Sequence, residues 1–154
     1  INFYFQYKGF DLTMFWQGIQ GRDIISDLKK ETDLWSGLNI GFLNKGRRVL
    51  DAWTPNNPDS DIPALTRSDL NNEKRVSTYY VEDGSFLKLR NIQIGYNVPE
   101  QALQKIKMRK LRVYVSAQNL LTIKSRTFTG VDPENPNYGY PIPMNLTFGV
   151  NIGF

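Results

Sequence analysis

The run from residue 144 to residue 154 constrains the fold more than any other feature. Met144, Leu146, Phe148, Val150, Ile152 and Phe154 alternate strictly with Asn145, Thr147, Gly149, Asn151 and Gly153. A period of two places every apolar side chain on one face of an extended strand and every small polar one on the other. Four further segments repeat the pattern. Residues 1–7 put Ile1, Phe3, Phe5 and Tyr7 on one face. Residues 10–18 set Phe10, Leu12, Met14 and Trp16 against Asp11, Thr13 and Gln17. Residues 110–121 set Leu111, Val113, Val115 and Ala117 against Arg112, Tyr114, Ser116 and Gln118. Residues 85–98 hold Ile92, Ile94, Tyr96 and Val98 in one phase, with Leu87 and Leu89 in the other. A bulge near Arg90–Asn91 would reconcile the two halves, and so would a strand that leaves a membrane at that point. The pattern predicts an all-β, antiparallel fold.

The connections differ in kind. Lys8-Gly9 suits a two-residue hairpin turn, because Gly accepts positive φ. Residues 99–109 begin with Pro99 and predict one or two helical turns with Pro at the first helical position. Residues 19–84 and 122–143 are long and rich in Asn, Asp, Pro and aromatics, with only a weak helix signal between Leu43 and Trp53. A compact soluble domain rarely carries a connection of ~60 residues with so little periodicity. Counting strand directions puts both short connections on one side and both long ones on the other. Short periplasmic turns and long extracellular loops are the asymmetry of an outer-membrane β-barrel. Five strands do not close a barrel, which needs about eight. Starting inside a strand at Ile1, the sequence reads as a piece with two unpaired edges, an arrangement prone to aggregate alone.

Composition removes several alternatives. The 154 residues include no His and no Cys, so His triads, His or Cys metal sites, Cys nucleophiles and disulfides are all excluded. Mean hydropathy is −0.43. No run approaches the ~18 apolar residues of a membrane helix. Alternating strands average to low hydropathy, so a barrel stays open. Net charge is +4. Lys105, Lys107, Arg109, Lys110 and Arg112 cluster at a short turn. No nucleic-acid motif accompanies them, and a solvated turn beside anionic lipid headgroups accounts for them. Glu82 and Asp83 are adjacent on an extended segment and point to opposite faces, a poor catalytic dyad. Asp59-Ser60-Asp61 lacks the Gly and distal Glu of a calcium loop. Gly18-Ile-Gln-Gly21 lacks the spacing and Lys of a phosphate loop. No catalytic residue, metal or cofactor is expected. Aromatics set among amides and carboxylates in the long segments, Trp53, Tyr79, Tyr80, Tyr138 and Tyr140, suit sugar or peptide contacts; the alternative for each is packing against neighbouring loops or against a partner that covers them.

Longer motifs carry a resemblance. Trp53-Thr-Pro-Asn-Asn-Pro58, Tyr80, and the stretch from Asp83 through Gly84-Ser-Phe-Leu-Lys-Leu-Arg-Asn-Ile-Gln-Ile-Gly to Tyr96 resemble the C-terminal part of SusC/RagA-family TonB-dependent transporters. Leu111-Arg-Val-Tyr-Val-Ser-Ala-Gln-Asn-Leu120 is similar to the family's penultimate strand. Tyr7-Lys-Gly-Phe-Asp-Leu12, Gly130-Val-Asp-Pro133, Tyr140-Pro-Ile-Pro143 and the strand ending at Phe154 also match. The matches cover nearly the whole chain, in order.

The resemblance implies the last five strands of a plugged barrel of roughly 22 strands. The plug and TonB box would lie outside this sequence. It implies import of oligosaccharides or peptides across the outer membrane of a Bacteroidetes-like Gram-negative bacterium. TonB would energise the import, and a SusD-like lipoprotein would lid the barrel. Phe3, Phe5, Leu12, Trp16, Ile92, Ile94, Val113, Val115, Phe148, Val150 and Ile152 would then face lipid. Phe154 would serve as the signal read by the barrel-assembly machinery, which makes the chain a folding client in a rival reading. A soluble β-sandwich, with the same stripes as its core, is the other alternative.

Overall fold

A computed structural model describes residues 1–34, 44–69, 72–104, 107–136 and 139–154. The chain divides into two units. The first comprises Ile1–Gln20, Ser85–Lys124 and Ile142–Phe154, and the second Gly21–Gly84 and Ser125–Pro141.

The first unit is a five-stranded antiparallel sheet. Its strands are β1 (Asn2–Tyr7), β2 (Phe10–Ile19), β5 (Phe86–Asn97), β6 (Lys110–Lys124) and β7 (Asn145–Gly153). They lie in the order β1-β2-β5-β6-β7. The register aligns like with like. Phe5, Leu12, Ile94, Val115 and Phe148 form one row across all five strands. Phe3, Met14, Ile92, Ala117 and Leu146 form the next. Between them run polar rows such as Tyr4, Thr13, Gln93, Ser116 and Thr147. A slip of one residue in any strand would break every row, so the alternation itself fixes the pairing.

The expected bulge is present. Phe15 pairs with Asn91 while Trp16 pairs with Leu89, leaving Arg90 as the extra residue of β5. On the other side Leu89 faces Leu121 and Asn91 faces Gln118, so β6 inserts a residue of its own beside it. Asn119 there takes a φ of 52°. Arg90 donates to Gln17 Oε1 at 2.9 Å and to Asn119 Oδ1 at 3.3 Å, tying the bulged strand to both neighbours. The bulge returns Leu89 and Leu87 to the face of Ile92 and Ile94, so both halves of β5 serve one apolar surface.

The two ends of this sheet are finished differently. Tyr7 pairs with Phe10 across the Lys8-Gly9 turn, where φ is 46° and 86°. The β5–β6 connection lies at the same end, with Val98 N donating to Leu111 O at 2.9 Å. Its helical turn α2 is Glu100–Leu103, with Pro99 at the cap position rather than the first helical one. The long segments leave from the other end, where Ile19 pairs with Phe86 and Phe86 with Lys124. Strand β6 runs three residues beyond the expected 121, because Thr122 and Ile123 still find partners in Lys88 and Leu87.

The second unit is held by local turns around a small core. A two-stranded sheet pairs β3 (Asp23–Ile25) with β4 (Val81–Asp83). The helix α1 (Asp27–Asp33) follows β3, capped by Ser26, whose Oγ accepts from Lys29 N at 3.2 Å. Sequence periodicity gave no sign of a seven-residue helix there; the Ser26 cap with Asp27 in the first turn was the available signal. A 3-10 helix at Arg47–Asp51 falls within the region of weak helix signal. Two proline turns are built alike. Asn57 N donates to Thr54 O at 2.9 Å and Asn135 N to Asp132 O at 3.0 Å, with Pro55 and Pro133 preset for the second turn position. Ile24, Leu34, Ala52, Tyr80 and Phe128 are buried.

Candidate functional site

In the second unit the aromatics of the long segment converge on one place. An open cleft of about 540 Å³ is lined by Trp53, Tyr79 and Tyr80 together with Asp61, Glu73 and Arg75. Three of the five candidate contact residues therefore meet. Their neighbours supply two carboxylates, a guanidinium and the hydroxyls of Ser60 and Ser77.

Asp33 organises the rim. It is fully buried and accepts a forked ion pair from Arg48, with Nε at 2.6 Å from Oδ1. Tyr79 donates its hydroxyl to Asp33 Oδ2 at 2.7 Å. Burial and this bonded carboxylate push the Tyr79 phenol well above its ordinary pKa. Lys29 lies 4.0 Å from the centre of the Tyr79 ring and donates to the Tyr79 carbonyl. Burial lowers the Lys29 pKa. Lys45 donates to Glu31 O at 3.0 Å and Leu34 O at 2.8 Å, closing the last carbonyls of α1. Glu82, almost wholly buried, accepts from Thr129 N at 3.1 Å and Thr129 Oγ1 at 2.7 Å. Such buried charges are tolerable because each has a specific partner. Asp33 carried no distinguishing mark in the sequence, since its partners lie 15 and 46 residues away.

The individual candidates fare differently. Trp53 is 44% exposed at the cleft. Tyr140 is almost fully exposed and lies outside the lining. Tyr138 falls outside the described residues. Tyr80 takes the packing alternative. It is 1% exposed, packs edge-on against Tyr79 at 5.1 Å and donates its hydroxyl to Glu73 O at 2.6 Å. It forms the floor of the cleft, with its one polar group already used. Asp59 and Asp61 are exposed, and among the described residues no group of three or more such side chains is placed to hold a metal ion.

In the first unit the two sheet faces contrast. Phe5, Ile94, Phe148, Val150 and Ile152 are each more than half exposed. A sandwich core would bury these side chains. The opposite face carries amides, hydroxyls and a forked ion pair between Asp11 and Arg112.

No protein-family model matches the chain. It is 34% identical over 97% of its length to TonB-dependent receptor P3 of Formosa agariphila, and 31% identical over 96% to TonB-dependent receptor P26 of the same organism. It spans 15–16% of the length of these relatives. Among solved structures, the RagAB peptide transporter superposes with a TM-score of 0.78 at 29% identity, over 97% of this chain and 16% of that one. The RagAB peptide importer in its open-open state gives 0.77 at 30%, over 96% and 16%. The sheet, polar on one face and apolar on the other, is thus of the antiparallel β-barrel class, open at both edges in this chain. The chain belongs to the SusC/RagA-like TonB-dependent transporters, as a segment of one. These relatives are receptors and transporters, not enzymes.

Proposed function

We propose that this chain forms the last five strands of a large outer-membrane barrel of roughly 22 strands. The whole protein would import oligosaccharides or peptides, energised by TonB and lidded by a SusD-like lipoprotein. The observation that carries the reading is the likeness to TonB-dependent receptors over nearly the whole chain, joined to a sheet whose apolar face leaves Phe5, Ile94, Leu146, Phe148, Val150 and Ile152 more than half exposed. That face meets lipid in this reading, and the polar rows line the barrel interior. The short connections are periplasmic and the second unit is extracellular. Its cleft, with Trp53 and Tyr79 at the opening, contacts substrate or the lipoprotein lid. Phe154, 81% exposed and next after β7, is read by the barrel-assembly machinery, a case of strand addition to an open edge.

The test is the native species that carries this chain. It should leave the envelope only with detergent, in a particle far larger than 17.8 kDa, and bring a surface lipoprotein with it. A soluble 17.8 kDa monomer that folds cooperatively in plain buffer would overturn the barrel reading. Growth on defined peptides or glycans, with and without the intact protein, then separates the two substrate classes.

A further inference from the structure

The polar groups around the cleft of Trp53 and Tyr79 divide into those already paired and those left over. Tyr79 gives its hydroxyl to Asp33, and Tyr80 gives its own to the Glu73 carbonyl. Ser60 Oγ donates to Asp51 O and accepts from Ile62 N at 3.1 Å. Beside the cleft, Arg48 is held by Asp33, and Lys29 by the Tyr79 carbonyl and ring. Glu73, an acidic residue of the lining, is half-buried and already engaged. Asp61 and Arg75 differ from all of these. Both line the cleft and both are exposed. Among the described residues neither side chain forms a hydrogen bond or an ion pair, with the other or with anything else. Asp61 acts on Lys29 only as a distant charge. The cleft thus offers a carboxylate and a guanidinium that stand too far apart to satisfy each other. The Ser77 hydroxyl and the Trp53 indole N–H are likewise unpaired among the described residues. Ile62, Pro63 and Ala64 add an apolar strip to the lining.

The geometry points to a short peptide with both ends free as the ligand of this cleft, its α-carboxylate on Arg75 and its α-ammonium on Asp61. The inference rests on the proposed reading that the second unit meets substrate. Charge selects the ligand. A neutral molecule would strip water from both charged groups and give neither a partner, a cost that a zwitterion returns. The planar guanidinium of Arg75 suits a carboxylate, which it binds through two parallel N–H groups. The Trp53 and Ser77 donors suit the peptide carbonyls between the ends. An apolar side chain of the ligand would lie on the strip of Ile62, Pro63 and Ala64. Sugar hydroxyls find no partner on those side chains, and Pro63 lacks even a backbone donor.

The test is calorimetry on the intact transporter with its lipoprotein, in mild detergent. The probe is alanyl-leucyl-alanine in its free, N-acetylated and C-amidated forms. Loss of either end charge should weaken binding about tenfold, the scale of one hydrogen bond to a charged group. Variants then cross with probes. R75Q should weaken the free peptide about tenfold but leave the amide where it already stood, and D61N should do the same with the acetylated form. That pattern belongs to this cleft alone, because removing one contact from both sides does not add. Variants are compared only where their heat-dependent gel mobility matches the unaltered protein. Binding indifferent to both end groups, losses that add between variant and probe, or no binding of the free peptide overturns the site. So does maltotriose bound in a manner that W53A abolishes and R75Q and D61N leave untouched, which would make the cleft a neutral sugar site. Release of the native species from the envelope without detergent would instead defeat the barrel reading.

Discussion

Asp11 on β2 and Arg112 on β6 join across the strand that separates them. Arg112 Nη2 lies 2.6 Å from Asp11 Oδ2 and Nε 3.2 Å from Oδ1, and Asn97 Nδ2 donates to the same carboxylate at 3.2 Å. The residue beneath is Gly95 of β5, which pairs with Asp11 on one side and Tyr114 on the other. A Cβ there would lie 2.5 Å from the guanidinium and 2.7 Å from the carboxylate. Gly95 is the gap through which two non-neighbouring strands are tied.

Gly95→Ala should therefore act like removal of the ion pair. In the intact transporter, both G95A and D11A should destabilise by about 1 kcal/mol, the upper scale for a partly exposed, forked ion pair. The readout is the temperature at which the folded gel mobility is lost. The two substitutions combined should cost little more than either, since they remove the same interaction. Additive losses would show that Gly95 acts independently of the pair.

Gly149 stands in the same register row and is covered by the ring of Tyr114, which occupies the space its Cβ would take. G149A should cost about 1–3 kcal/mol by displacing the ring. Truncation in Y114A/G149A should recover part of that loss. No recovery would mean that strand conformation, not the ring contact, demands the glycine.

Trp53 and Tyr79 separate recognition from packing. W53A should reduce uptake or lipoprotein binding while leaving folding unchanged, because the side chain is 44% exposed. Y79F removes the hydrogen bond to buried Asp33 and should cost about 1.5–3 kcal/mol of local stability. Limited proteolysis of the second unit reads the latter. Equal protease sensitivity of Y79F and the unaltered chain would remove Tyr79 from the rim's support.

The same region should weaken at high pH. Burial and nearby carboxylates push the Tyr80 phenol up to about 12 from an ordinary 10, and Tyr79 shifts in the same direction. Above pH 10 an unfolded segment releases these protons while the folded one keeps them. Stability is thus full below pH 10 and falls as pH rises towards 12, by about 1.4 kcal/mol per pH unit for each tyrosine. Lys29 opposes this weakly, since its lowered pKa favours the fold as pH rises towards 10.5. Proteolytic protection against pH gives the slope, and Y79F/Y80F should flatten it. An unchanged slope would assign the alkaline loss to other groups.

Phe154 completes the predictions. F154A should slow assembly of the barrel but leave transport by already assembled molecules intact. Normal assembly would dismiss the residue as a signal.

The alternation of residues carried much of the sheet. Strand positions, the shared apolar face and even the bulge at Arg90 follow from where Leu89 and Ile92 fall in phase, because side-chain direction in a strand is a local, two-residue property. The grouping of Trp53 and Tyr79 was legible only as composition. Other features depend on which distant residues the fold brings together. Asp33 resembles any other aspartate until Arg48 and Tyr79 close on it. Tyr80 looks like Tyr79 until one is buried and the other reaches the cleft. Gly95 is an ordinary strand glycine until the register sets Asp11 and Arg112 on either side of it. Sequence determined the faces, because periodicity is written in neighbours. Tertiary structure decided the partners, because a buried charge or a missing Cβ acquires meaning only from atoms that chain order does not place nearby.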